Sequence, residues 1–98
     1  MNVDRHVVVR GRVQGVGYRA FVADQARRLG IEGWVRNRRD GTVEVVVCGN
    51  ADVIAEMIEA CRKGPWGAKV DGLAERDAAS DERALRRSGE PFSVLPTV

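Results

Sequence analysis

The first residues of the chain alternate between apolar and mostly polar positions. Val7, Val9 and Val13 stand at odd positions, and polar residues such as His6 stand between them. A period of two residues places alternate side chains on opposite faces of an extended chain. The pattern therefore predicts a half-buried β-strand over about residues 4 to 13.

The spacing becomes helical after a glycine-rich segment at residues 11–17. From there, apolar residues recur at three- or four-residue intervals, which is typical of one face of an α-helix. The positions are Tyr18, Val22, Ala26 and Leu29. Gly30 follows where a helix commonly ends on a glycine. We expect a glycine-rich loop that joins the first strand to a helix.

Two further strands are predicted around a tight turn. Trp34 and Val35 begin an extended run, and Thr42 to Cys48 forms another with alternate valines. Asp40-Gly41 between them is a pair that favours hairpin turns. These two strands are therefore expected to be antiparallel neighbours.

A second helix is indicated after the hairpin. Asn50 is a favourable N-cap, Asp52 suits the first turn, and Gly64-Pro65 ends the pattern. The apolar positions of this helix are Ile54, Met57, Ile58 and Cys61.

The C-terminal third carries weaker signals. Residues 68–76, with Val70 and Leu73, predict a fourth strand, and residues 92–95 a short strand that Pro96 limits to a sheet edge. The charged segment at residues 77–90 is expected to be a solvated loop or a single irregular helical turn.

The order of elements is strand, helix, strand, strand, helix, strand, with an optional fifth strand. This order predicts an α+β fold of the ferredoxin-like, split βαβ type (βαββαβ). In it, an antiparallel sheet of four to five strands is backed by two helices. With 98 residues in all, the chain suits one domain over residues 1–98.

Composition narrows the classes of partner. A formal net charge of +2 gives little global attraction to nucleic acids or anionic membranes, so a preference for anions has to be local. No apolar run is long enough to span a bilayer, and residues 1–10 lack a signal-peptide core, which favours a soluble cytoplasmic protein. Cys48 and Cys61 are expected to be reduced structural residues. A disulfide between them stays open at this point, because pairing depends on distance and direction in the fold.

The segment at residues 11–19 is the one that suggests chemistry. Its glycines allow positive φ angles, so that successive N–H groups can face one concavity at the start of a helix. Arg19 opens that helix with a planar, permanently charged group that suits phosphate oxygens. The loop therefore predicts an anion site.

Two other glycine loops fit less well. The Walker A pattern is excluded because no Gly-Lys-Ser/Thr occurs. Residues 15–20 fit the dinucleotide pattern GxGxxA, but the acidic residue about 20 positions on, Asp40, lies in a hairpin turn, and the chain is too short for a doubly wound sheet.

Together, three segments of this sequence resemble the acylphosphatase family. Residues 11–19 (GRVQGVGYR) are similar to its phosphate-loop signature, and residues 33–37 (GWVRN) with 40–43 (DGTV) to its second signature. Gly64-Pro65, followed by Ala68 and Val70, resembles the segment after the family's second helix. The resemblance spans about residues 5 to 71.

The resemblance implies a metal-free, cofactor-free hydrolase of small acyl phosphates, releasing a carboxylate and inorganic phosphate by in-line attack of water without a covalent intermediate. It assigns phosphate binding to Arg19 and orientation of the water to Asn37. The implied phosphate cradle consists of Val13, Gln14, Gly15, Val16, Gly17, Tyr18 and Arg19. Thr42 is most simply a strand former, with a hydroxyl that could brace Asn37. A monomer is expected.

Two alternative functions share features with this one. An RNA-recognition domain of the same topology needs aromatic residues on its central strands, and residues 42–48 have none, so nucleic-acid binding is not expected. A non-catalytic module that binds an anion or a partner through the same loop remains the alternative. Tyr18 is expected to pack beside the loop rather than act as an acid. His6 is expected on a strand face or in a satisfied buried position.

Overall fold

The computed structural model describes residues 1–98 and contains one mixed sheet with three helices. The strands are β1 (Asn2–Arg12), β2 (Glu32–Asn37), β3 (Val43–Asn50), β4 (Lys69–Asp77) and β5 (Phe92–Val94). The helices are α1 (Tyr18–Leu29), α2 (Ala51–Lys63) and α3 (Ser80–Arg83). The predicted α+β, ferredoxin-like architecture is confirmed.

The five strands lie in the order β4-β1-β3-β2-β5. Four of them pair antiparallel, as predicted, with β3 in the centre of the sheet and β1 between β3 and β4. The expectation of a fully antiparallel sheet is wrong at one edge, where β5 runs parallel to β2. The reason is the route of the chain. β4 and β5 lie at opposite edges, so they are joined by a crossing segment and not by a hairpin.

The main core lies between one face of the sheet and the helices α1 and α2. Alternate residues of the central strands, such as Val7 and Val45, are buried on this face together with Val22 and Met57 of the helices. The period-two pattern thus gives the sheet an apolar face, and the helical pattern gives each helix one. These faces pack against each other and exclude water. Removal of apolar surface from water is the main stabilising contribution to such a core.

Both helix ends that the sequence predicted have the expected caps. Gly30 ends α1 in the left-handed conformation, and its N–H donates to the carbonyls of Ala26 and Arg27. The side chain of Asn50 accepts a hydrogen bond from the N–H of Asp52 at the start of α2. Local sequence therefore determines where these helices begin and end.

Residues 78–91 cross the second face of the sheet, from β4 at one edge to β5 at the other. The single turn predicted in the charged segment is α3, whose residues are exposed apart from the half-buried Glu82. The indole N–H of Trp34 donates to the carbonyl of Glu82 at 2.7 Å, and Trp34 is fully buried. A small second cluster of Trp34, Val46 and Leu95 lies under this segment.

None of the helices has the length and hydrophobicity that a bilayer crossing would need. Cys48 and Cys61 are free thiols. Burial raises the pKa of each thiol to about 12, which agrees with inert structural residues.

Candidate active site

The loop between β1 and α1 presents a row of backbone donors. None of the N–H groups of residues 13–17 donates a hydrogen bond to a protein acceptor. Gly15 and Gly17 have φ angles of 75° and 77°, a conformation that glycine adopts without strain. They curve the loop so that it can form an anion-binding concavity.

The first turn of α1 extends this row of donors. The N–H groups that open a helix have no intrahelical acceptor, and they carry the positive end of the helix dipole. Gly17 is the N-cap and makes no side-chain capping bond, and the first turn contains no acidic residue. The helix terminus therefore adds to the positive potential at the loop.

Arg19 lies in this first turn and lines a cavity together with residues of the loop. Its side chain takes part in no salt bridge and no hydrogen bond within the protein. The guanidinium group is therefore available to an anion bound at the loop.

Asn37 is the last residue of β2 and stands in the wall of the same cavity. The residue is only 8% exposed. Its Oδ1 atom is the one buried side-chain polar atom of the protein that has no hydrogen-bond partner. A buried acceptor without a partner costs free energy, so this oxygen is a functional candidate on physical grounds.

Gln14 connects the loop to the turn that follows Asn37. Its Nε2 donates to the carbonyl of Arg38 at 2.7 Å and to that of Thr42 at 2.9 Å. Gln14 was expected in the cradle, but the sequence did not predict this connection. The only signal in the sequence was a long polar side chain within a glycine-rich loop. That signal did not indicate which carbonyl groups would accept its hydrogen bonds.

These groups meet in a cavity of about 440 Å³. The residues that line it are Val13, Gln14, Gly15, Gly17, Tyr18, Arg19, Ala20, Ala23, Asp24, Arg27, Asn37 and Val94. All the predicted site residues are here except Val16 and Thr42. Val16 packs against the main core instead.

The hydroxyl of Thr42, which could have braced Asn37, has another acceptor. This hydroxyl donates to Oδ1 of Asp40 at 2.6 Å, and the N–H of Thr42 donates to the same atom at 2.9 Å. These two hydrogen bonds lower the pKa of Asp40. Thr42 therefore stabilises the hairpin turn, because its side chain completes a local bond within that turn.

The hydroxyl of Tyr18 is directed away from the phosphate loop and toward α2. The side chain is buried, and its hydroxyl donates to the carbonyl of Cys61 at 2.6 Å. Burial raises the pKa of Tyr18 far above its usual value. The expected packing role is confirmed, since this bond ties the start of α1 to the end of α2.

A second polar cluster lies on the opposite face of the sheet. His6 Nε2 donates to Oε2 of Glu44 at 2.6 Å and lies 3.5 Å from Oε2 of Glu82. Ligand-type atoms of these three residues lie within 4.8 Å of one another, as in a metal site. Arginines already hold both carboxylates, however: Arg36 at 2.7 Å from Glu44, and Arg76 at 2.6 Å from Glu82. The cluster is therefore an ion-pair network. His6 is buried and hydrogen-bonded, as expected.

Known proteins match this chain over nearly its whole length. The family model described as "Acylphosphatase" matches residues 5–89. An acylphosphatase of Rhodopseudomonas palustris is 57% identical over 94 residues, which cover 96% of this chain and 95% of that protein. An acylphosphatase of Bradyrhizobium diazoefficiens is 56% identical over 92 residues, covering 94% of this chain and 93% of that protein.

Solved structures give the same result for the fold. The crystal structure of acylphosphatase from Bacillus subtilis superposes with a TM-score of 0.82 at 33% sequence identity. The match covers 97% of this chain and 99% of that one.

Proposed function

Because the chain belongs to the acylphosphatase family and hydrolyses acyl phosphates, we propose that Arg19 and the loop at residues 13–17 bind the phosphoryl group and that Asn37 orients the attacking water. One observation carries this assignment. Unused backbone donors, an unpaired guanidinium and a buried amide oxygen without a partner meet in one cavity.

The loop and Arg19 supply charge stabilisation. In phosphoryl transfer, negative charge is spread over the equatorial oxygens of the transferred group, and catalysis consists mainly of positioning and electrostatics. Backbone N–H groups held in place by Gly15 and Gly17 need no reorganisation when that charge develops. Arg19 adds a planar pair of donors that matches two phosphate oxygens.

Asn37 acts on the nucleophile in this proposal. Its Oδ1 can accept a hydrogen bond from a water molecule and hold it in line with the bond that breaks. A neutral amide does not titrate, so Asn37 positions the water without removing its proton beforehand. The site does not require a strong base, because a loose transition state makes little demand on the nucleophile.

The leaving group explains why this small set of residues is sufficient. The acyl group of an acyl phosphate leaves as a carboxylate. The parent acid of this leaving group has a pKa of about 4, so no general acid is needed. Tyr18 could not serve as one, since its hydroxyl is bonded to the carbonyl of Cys61. Alkyl phosphates leave as strongly basic alkoxides and should be poor substrates.

The direct test is hydrolysis of benzoyl phosphate in excess EDTA by the wild type and by single variants. Arg19→Ala and Asn37→Ala should each lower turnover by at least about 100-fold, the scale of losing one preorganised group. Arg28→Ala is the matched control, because Arg28 is an exposed arginine on the same helix outside the cavity. It should retain wild-type turnover.

Phosphate binding distinguishes the two roles. Titration calorimetry with inorganic phosphate should show that Asn37→Ala still binds and that Arg19→Ala binds much more weakly. If Asn37→Ala kept wild-type turnover, its assigned role would be refuted. If EDTA abolished wild-type turnover, the metal-free chemistry would be refuted.

The state in which the enzyme acts is also part of the proposal. We propose that residues 1–98 act as one domain and as a monomer in the cytoplasm, on small acyl phosphates. The two free cysteines suit a reducing compartment. Light scattering of the active protein would detect a dimer.

A further inference from the structure

The cavity extends beyond the phosphate loop along one side of α1. Ala20 and Ala23 form a small apolar floor there, and Val94 at the end of β5 lies on the same cavity wall. Val94 is 36% exposed, although it is a large apolar residue. This part of the cavity contributes no phosphate ligand and is open to the organic half of a substrate.

Two opposite charges mark this extension. Asp24 and Arg27 both line the cavity and are both exposed. They lie three residues apart on α1, a spacing at which side chains are neighbours. Neither takes part in a salt bridge, with the other or with any other residue. A negative and a positive group are thus both available at the wall of the active site.

Helix geometry relates these charges to the phosphate position. Asp24 and Arg27 follow Arg19 by five and eight residues, which is about 7.5 and 12 Å along the helix axis. Side chains on a helix point back toward its N-terminus. Both groups therefore reach back toward Arg19, over a span that fits a short acyl chain attached to a phosphate.

Resting on the proposed function, we propose that this extension holds the acyl group and that Asp24 and Arg27 select acyl groups carrying both an ammonium and a carboxylate. Arg27 takes the carboxylate, and Asp24 takes the ammonium. The substrate class that fits is the side-chain acyl phosphate of an acidic amino acid. Both residues determine specificity and take no part in the bond cleavage.

The test uses stable analogues in which a methylene group replaces the bridging oxygen of the acyl phosphate. Three β-ketophosphonates correspond to butyryl, succinyl and β-aspartyl phosphate. The succinyl analogue has a carboxylate where the butyryl analogue has a methyl group. The β-aspartyl analogue differs from the succinyl analogue by an added ammonium group. Affinities are measured by titration calorimetry for the wild type, Asp24→Asn, Arg27→Gln and the control Arg28→Gln.

The wild type should bind the aspartyl analogue up to about fivefold tighter than the succinyl analogue, the scale of one exposed ion pair. Asp24→Asn should remove this difference. Arg27→Gln should weaken both carboxylate-bearing analogues by up to about fivefold relative to the butyryl analogue. Arg28→Gln should leave all the affinity ratios unchanged, although it removes the same charge from the same helix end.

Affinity ratios that stay at wild-type values in Asp24→Asn and Arg27→Gln would overturn this inference, as would a wild type that does not distinguish the three analogues. Binding of the analogues needs no turnover. Failure of the catalytic assignment would appear separately, in the hydrolysis of benzoyl phosphate.

Discussion

Asn37 and Gln14 show how single residues connect the fold with the reaction. The Oδ1 atom of Asn37 is buried without a partner, a situation that costs about 1 to 3 kcal/mol. The role proposed for Asn37, accepting a hydrogen bond from the attacking water, would account for this cost. The side-chain nitrogen of Gln14 carries no such cost, because it donates two hydrogen bonds.

Replacing Gln14 by leucine should separate positioning from binding. Gln14→Leu removes the bonds that fix the phosphate loop relative to the turn after Asn37, and misplacement by about 1 Å can cost about 100-fold in rate. We expect kcat/KM for benzoyl phosphate to fall by about 10- to 100-fold. The loss of two hydrogen bonds should lower the free energy of unfolding by about 1 kcal/mol.

A double-mutant cycle tests how Gln14 acts. In the Asn37→Ala background, Gln14→Leu should cost less than about threefold, because the residue to be positioned is already absent. A multiplicative loss in the double variant would instead indicate that Gln14 acts on the bound phosphoryl group directly.

The sequence predicted the loop and Arg19 as candidates because glycines and a charged residue at the start of a helix form a local pattern, whereas Asn37 became a candidate only through the resemblance to the acylphosphatase family. It did not predict the connection made by Gln14, whose acceptors lie 24 and 28 residues away in the chain. It also left open the partner of the Thr42 hydroxyl, which has a near acceptor in Asp40. The direction of a side chain depends on such neighbours.

At the scale of elements, α1 and α2 were predictable from their periodicity and their caps, which are local properties. The direction of β5 was not. The strand has three residues, and its orientation follows from the path of residues 78–91 across the sheet. That crossing spans the width of several strands, each about 4.8 Å from the next. This accounts for the length of the charged segment before Phe92.

Glu82 is the main polar attachment of the crossing segment. Hydrogen bonds from Arg76 and from the backbone N–H of Ala79 lower the pKa of Glu82 from 4.5 to about 2. The folded state therefore binds this proton more weakly than the unfolded chain. The stability contributed by Glu82 is complete above about pH 4.5 and is lost as the pH falls toward 2.

Glu82→Gln should therefore lower the free energy of unfolding by about 1 kcal/mol at pH 7 and by almost nothing at pH 2. Urea unfolding of both proteins between pH 2 and 7 measures this difference. Glu56→Gln is the control, because Glu56 is exposed and forms no salt bridge. A difference between Glu82→Gln and the wild type that did not shrink toward pH 2 would contradict the assigned pKa shift.

Across the whole molecule, the sheet separates two functions. The face that carries Val35 and Asn37 meets the helices and the active site, and the face that carries Trp34, Arg36 and Glu44 meets the crossing segment. Alternation along each strand produces this division. The ion-pair network around Glu44 therefore supports the sheet from behind the site.

Glu44 should matter for stability and not for catalysis. Burial alone would raise the pKa of Glu44, but hydrogen bonds from His6 and Arg36 outweigh burial and hold the pKa below its usual value. Glu44→Gln leaves Arg36 without its counter-charge on a buried face. We expect the free energy of unfolding to fall by about 3 kcal/mol, the cost of breaking a buried ion pair.

Turnover of benzoyl phosphate by Glu44→Gln should stay within about twofold of the wild type at a temperature where both are folded, because the side chain points away from the cavity. Circular dichroism establishes that condition, and Asn37→Ala provides the opposite case, in which turnover is lost while the fold remains. A parallel loss of turnover and stability in Glu44→Gln would show that the two faces of the sheet are coupled through β2 and β3, and that the rear network positions Asn37.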